Sequence, residues 1–413
     1  MEQSYRRVKT ACYTTSLTMS IIANLPPMLF LTFRSLYGIS YSLLGLLVLV
    51  NYSTQLIVDL ILSFFSYKFN IPRLVKMTPL VYLIGLALFA LAPLLFPGNV
   101  YIGLVIGTII FSAGGGLNEV LTSPVIAAIP AKDPEREMSK LHSIYAWGVV
   151  GVIIFSTVFL FFFGKESWQL LVALLLVVPL ASVIAFAGAE IPKMETPEKV
   201  SGALKLLKKK ELWLCVFAIF LGGASECTMA QWSSGYLEQA LGIDKVWGDI
   251  FGVALFGMML GIGRSMYAKI GKNVEKVLFL GAIGASACYL ICAVCGIPLI
   301  GLIACAFTGF CVSMMWPGSL VVAADRIPTG GVFIYAMMAA GGDLGASIGP
   351  QMIGVVTDAV MANPTASALA QNLGLMPDQL GMKLGMLMGM LFPFVGIFIY
   401  LRILRTKKKT IQV

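Results

Sequence analysis

The sequence predicts an all-α membrane protein with twelve transmembrane helices in two pseudo-symmetric six-helix bundles. Three observations carry this expectation. Hydrophobic residues make up 58% of the 413-residue chain and charged residues 12%, against roughly 25% charged in soluble domains. The apolar residues gather into twelve runs, each near the roughly 20 residues a helix needs to cross hydrocarbon. The 29 basic residues are distributed unequally between alternate connections, as expected of membrane topology.

The first six runs lie near 11–33, 41–66, 74–96, 99–129, 138–163 and 167–189. The second six lie near 211–239, 246–270, 274–296, 298–325, 330–360 and 379–403. Backbone polar groups in lipid must be satisfied within their own segment, and these runs are too long for barrel strands, so helices are expected. The polar stretch 190–210 divides the chain into an N-terminal bundle, 1–189, a cytoplasmic linker, 190–210, and a C-terminal bundle, 211–413. Within the linker, "KVSGALKLLKKK" has the makings of a basic amphipathic helix lying on the lipid surface. Weak echoes join the halves. Ile144-Tyr145-Ala146 recurs as Ile334-Tyr335-Ala336, and Pro124 of the fourth run corresponds to Pro317 of the tenth. A duplicated six-helix unit accounts for both.

With the N-terminus placed inside, 25 of the 29 Lys and Arg fall in cytoplasmic segments, leaving Arg34, Lys165, Lys245 and Lys383 outside. Both termini are therefore expected to be cytoplasmic, in an inner membrane. The net charge of +9 reports this orientation, and no nucleic-acid partner is expected. Seven of the eight cysteines lie in apolar runs of the second half and read as small packing residues. Cys292 and Cys295 have metal-motif spacing, but the single histidine, His142, is distant in sequence, and no metal is expected. No cleavable signal peptide is expected, because the first apolar run ends at Arg34 without a small-residue cleavage site. No nucleotide loop or nucleophile–base pair appears, so the chain is not expected to be an enzyme or to hold a cofactor.

Ionisable groups at membrane depth are costly and mark functional positions. Four acids lie well inside runs: Asp59, Glu119, Glu226 and Asp343. Asn51, Gln55 and Asp59 are four apart and share one helix face. Asn118, Thr122 and Ser123 surround Glu119, behind Gly114–Gly116. Ser225, Glu226 and Thr228 lead to Gln231 and Trp232. "GGDLGASIGP" sets Asp343 among small residues, where a structural or gating role is favoured. No Lys or Arg is expected near these acids in the deep core. A lone carboxyl that is neutral when dry and charged when wetted is what proton coupling requires. Trp147, Trp232 and Trp316, with Tyr145 beside Trp147, offer ring faces on which a sugar can stack.

These stretches resemble the major facilitator superfamily, and within it the fucose–proton symporter family of sugar transporters. "GIGRSMYAKIGK", with Arg264, resembles the superfamily's basic connection after the eighth span, and "GGGLNEVLTSP" follows the symporters' Gly-rich segment, acid, then proline. "ANLPPMLFLTF", "LHSIYAWG", "GASECTMAQW", "MMWPGSL" and "GPQMIGVVTDA" are similar to spans one, five, seven, ten and eleven. Two departures stand out. Pro27 replaces an acid of the first span, and "SYKFNIPR" lacks the acid of its loop. The resemblance puts Glu119 in the proton-coupling position and a solute site at the midplane. It implies a secondary transporter, a monomer in the lipid bilayer, importing a sugar or sugar-like small molecule with protons by alternating access. The alternatives are a drug or metabolite exporter and a facilitative or sodium-coupled sugar carrier. Glu119, Glu226 and Asp59 are the candidate proton sites. Asn24, Gln55, Asn118, His142, Tyr145, Trp147, Glu226, Gln231, Trp232 and Trp316 are candidates for solute contact. Asp343, Arg264, Pro124 and Pro317 are candidate gating or structural residues.

Overall fold

The computed structural model describes residues 5–65, 68–130, 134–192, 207–270, 273–327 and 331–406, and no strand occurs among them. Twelve spans follow one another. They are α1 (Arg6–Met28, then Phe30–Tyr37), α2 (Tyr41–Phe65), α3 (Ile71–Ala90), α4 (Val100–Ala128), α5 (Pro134–Phe163) and α6 (Trp168–Leu175, then Val177–Phe186). The second six are α7 (Lys210–Leu241), α8 (a π-helical Gly248–Ala254, then Leu255–Ile270), α9 (Val274–Val294), α10 (Pro298–Val312, then Met315–Arg326), α11 (Gly331–Ala362) and α12 (Pro377–Gly389, then Leu391–Arg405). Most of the amphipathic "KVSGALKLLKKK" stretch lies outside the described residues.

Several runs that read as continuous helices are broken, and proline explains the breaks. A proline at position i has no N–H for the carbonyl at i−4. The interruptions at Leu91, Leu176, Ser313–Met314 and Met390 precede Pro93, Pro179, Pro317 and Pro393 by two to four residues. In α1 the adjacent Pro26 and Pro27 end the first segment at Met28, and the chain resumes after a 47° bend.

The chain forms two compact units, Met1–Ser201 and Gly202–Val413. In the first, α4 packs against α2 and α3, and α1 against α5 and α6. An aromatic cluster fills one end. Phe33 and Phe89 pack edge to face on Trp168, with Phe33 and Trp168 ring centres 5.0 Å apart, and Phe111 packs on Phe89 behind them. The indole of Trp168 donates to the Tyr37 hydroxyl at 3.0 Å, which satisfies its one donor. An aliphatic cluster built on Val8, Leu62, Val75, Val125 and Phe186 fills the other end. Hydroxyls knit α1 to its neighbours: Ser182 donates to the Ala11 carbonyl at 2.9 Å, and Ser20 to the Tyr145 carbonyl at 2.8 Å.

In the second unit α7 packs along α11. Gly345 makes the close approach possible, since a Cβ there would lie 2.0 Å from the Phe220 carbonyl oxygen. Small residues at such crossings are how helices associate in lipid, where burial of apolar surface supplies no net drive. Buried tyrosines tie further helices to α7. Tyr236 donates to the Cys292 carbonyl at 2.6 Å, Tyr289 to Ser225 at 2.8 Å and Tyr400 to Ala218 at 2.7 Å.

Candidate functional site

In the first unit, the polar stripe of α2 meets the glycine-rich stretch of α4. Asn51, Gln55 and Asp59 are all buried. Gln55 donates to Asn51 Oδ1 at 2.9 Å, and Ser112 of α4 donates to the same oxygen at 2.6 Å. A Cβ at Gly115 would lie 2.9 Å from Gln55 Cδ, and one at Gly116 would lie 2.9 Å from Asp59 Oδ1. The glycines therefore set the α4 backbone directly on the polar stripe. One turn further along α4, a carboxylate oxygen of Glu119 comes within 4.8 Å of one from Asp59. Asp59 is 4% exposed and neither of its carboxylate oxygens has a hydrogen-bond partner. Glu119 is exposed. Its position is roughly a quarter turn around α4 from the exposed apolar Ile109, by the 3.6-residue period. Asn118 beside it accepts from Thr122 at 2.6 Å.

The other candidates of this unit are spread more widely. Asn24 is half-buried and donates to the Ser20 carbonyl of its own helix at 2.9 Å. Tyr145 is half-buried, Trp147 is 71% exposed, and Pro124 is exposed. His142 falls on α5, but its side chain is outside the described residues, as is that of Ser123. Asp59 and Glu119 supply the unit's close pair of hard oxygen donors, the kind that suits a proton or an alkali cation.

The second unit corrects one expectation. Glu226 of α7 is paired: Arg264 Nη2 of α8 lies 3.4 Å from both of its carboxylate oxygens. In sequence, Arg264 belongs to the stretch that resembles the basic connection after α8. It stands six residues inside the helix end, and helical side chains lean toward the N-terminus, which carries the guanidinium back to Glu226. Its Nε also donates to the Ser313 carbonyl at 3.1 Å. That carbonyl sits four residues before Pro317, so the missing proline N–H leaves it open. Arg264 thus fills the break in α10 and faces the acid of α7.

Trp232 is 1% exposed and its indole donates to the Pro350 carbonyl at 2.7 Å, so this ring serves packing of α7 on α11. Trp316 lies against the same two helices. A Cβ at Gly342 would lie 2.4 Å from its ring, and one at Gly223 would lie 2.9 Å from it. Gln231 and Asp343 are buried. A further cluster escaped the sequence reading. Lys245 lies 3.2 Å from Asp249 Oδ2 and 3.1 Å from Ser234 Oγ, and Ser234 donates to Asp249, which is wholly buried. The four-residue spacing of Lys245 and Asp249 was its only local signal.

The model of the Major Facilitator Superfamily matches residues 11–350. The chain belongs to the major facilitator superfamily. No curated protein sequence matches it. Solved structures share the fold at low identity. A bacterial homolog of the human lysosomal transporter Spinster, inward-facing and occupied, is 12% identical with a TM-score of 0.78, over 98% of this chain and 97% of that one. The nucleoside transporter NupG is 11% identical with a TM-score of 0.70, over 96% and 98%. The E. coli fucose:proton symporter FucP is 16% identical with a TM-score of 0.58, over 95% and 99%. As a major facilitator chain, this is a multi-pass membrane transporter of small-molecule solutes, in a superfamily whose members are typically not enzymes.

Proposed function

We propose that this transporter imports a sugar or sugar-like polar solute together with protons, with Glu119 as the coupling acid and Asp59 as its partner. The observation that supports this best is the close Asp59–Glu119 pair. No Lys or Arg among the described residues pairs with either carboxylate. Two like charges that close repel, and a single proton held by the pair relieves the repulsion. Water reaching exposed Glu119 favours loss of that proton, and exclusion of water favours its return. A conformational change that closes over the doubly charged pair costs at least about 3 kcal/mol more than one that closes over the singly protonated pair. Within the first unit, solute hydroxyls would be taken by Asn24, Gln55, Asn118 and Tyr145, and a sugar face by Trp147. Glu226, held by Arg264, would supply a fixed charge pair. The sugar class draws on the fucose:proton and D-xylose–proton symporters among the structural neighbours. The protein would act as a monomer in an inner membrane with both termini cytoplasmic. Sodium is the alternative coupling ion, because two carboxylates are also hard oxygen ligands.

Uptake in proteoliposomes tests the reading with fucose and xylose as probes. Glu119→Gln should keep exchange of solute between the two sides but lose accumulation driven by a pH gradient. Accumulation by Glu119→Gln equal to the parent's, with the same dependence on external pH, overturns Glu119 as the coupling acid. Uptake that follows a sodium gradient and ignores pH replaces the proton with sodium.

A further inference from the structure

The second unit carries a cavity of 580 Å³ among α8, α9 and α10, lined by residues with no part in the transport reading. Gly263 of α8 and Gly281 and Gly284 of α9 line it, and their missing side chains bring backbones close. A Cβ at Gly281 would lie 2.4 Å from the Cys311 carbonyl oxygen of α10, and one at Gly263 would lie 2.3 Å from Ser313 Oγ. Larger apolar groups form the walls. Leu280, Phe307 and Met266 are exposed along its edges. Phe307 stacks on Phe310, with ring centres 5.6 Å apart and planes 14° from parallel.

The cavity's polar residues cluster at the start of α9. Asn273 caps the helix by accepting from the Lys276 backbone N–H at 3.3 Å. The Lys276 side chain is exposed and has no ion-pair partner among the described residues. In sequence, Lys269 and Lys272 precede Asn273, so this connection is basic. An apolar channel with an unpaired cation at one end has the polarity of one phospholipid leg: hydrocarbon inside, phosphate outside. Basic residues beside a span attract anionic lipids, and long cationic side chains reach for the headgroup level.

We infer that this groove binds an anionic phospholipid, one acyl chain lying between α8 and α10 over the α9 glycines and the phosphate at Lys276. A zwitterionic lipid carries a phosphate too, but its choline adds a positive charge beside Lys276, so the site selects against it. Bound lipid would brace the three helices against one another.

Native mass spectrometry of the whole protein, exchanged from detergent into mixed micelles, tests this. The probes are dioleoyl phosphatidylglycerol and dioleoyl phosphatidylcholine at equal concentration. The parent should retain phosphatidylglycerol at least fivefold over phosphatidylcholine, and Lys276→Gln should reduce that preference to near one. Val277→Trp, which fills the groove, should lower retention of both lipids. If that variant does not fold, a chain-length series answers the same question: dihexanoyl phosphatidylglycerol should bind far more weakly than the dioleoyl form. Equal retention of the two headgroups by the parent, or an unchanged preference in Lys276→Gln, overturns the proposal. So does displacement of the lipid by inorganic phosphate alone, because the site would then be an anion site without a role for the chain.

Discussion

Pro317 deprives α10 of one hydrogen bond, and the arginine that answers it lies on another helix. Arg264 donates to the Ser313 carbonyl and faces the Glu226 carboxylate, so one side chain repairs a backbone defect and balances a charge. Removing either charged partner leaves the other uncompensated. The pair is half-open, with Arg264 42% and Glu226 17% exposed, so each single change should cost about 1–2 kcal/mol. Thermal unfolding of Glu226→Gln, Arg264→Gln and the double variant measures the coupling. The double variant should lose less than the sum of the singles, and strict additivity would leave the ion pair without energetic content. The sequence showed both residues but not their meeting, because 38 positions separate them and helix rotation decides the contact. Asp59 and Glu119 were legible as isolated acids in apolar runs. Ser112, which anchors the Asn51 and Gln55 stripe, carried no signal that sets it apart from any other small residue in a span.

At the scale of helices, periodicity and length found the spans, while prolines placed their breaks. Pro93, Pro179, Pro317 and Pro393 were all visible, and the rule that each frees a carbonyl four residues back was available from the sequence. What it could not show is which neighbouring group takes up that carbonyl, since the partner comes from another helix. The glycine stretches were legible as close approaches but not as pairings. Gly114–Gly116 sets α4 on α2, whereas Gly342 and Gly345 set α11 on Trp316 and α7. These contacts are unequal in tolerance. Gly345 faces backbone, which cannot swing aside as a flexible side chain can. Gly345→Val should therefore destabilise the α7–α11 crossing by at least about 1–3 kcal/mol. Gly151→Val, where a Cβ meets nothing within 4 Å, should leave the unfolding temperature within a degree or two. A Gly345→Val protein that melts with the parent would show that α7 and α11 can separate without loss.

For the molecule as a whole, composition pointed to lipid as the solvent and the apolar runs to twelve spans, and the family match over residues 11–350 agrees with the resemblance seen in the spans. The coupling acids Asp59 and Glu119 and the lining of the lipid groove lie in different units, so each reading can fail alone. The six tryptophans give the protein an optical signature as well. Trp168 and Trp232 are 0% and 1% exposed, each with its indole N–H bonded inside the protein. Trp147, Trp213 and Trp247 are 71%, 51% and 57% exposed. In bilayers, brominated acyl chains or aqueous acrylamide should quench the second group and spare the first. A variant keeping only Trp232 should emit at short wavelength and resist both quenchers, until the Pro350 carbonyl withdraws. Its red shift would then time the parting of α7 from α11 in a cuvette, without any label.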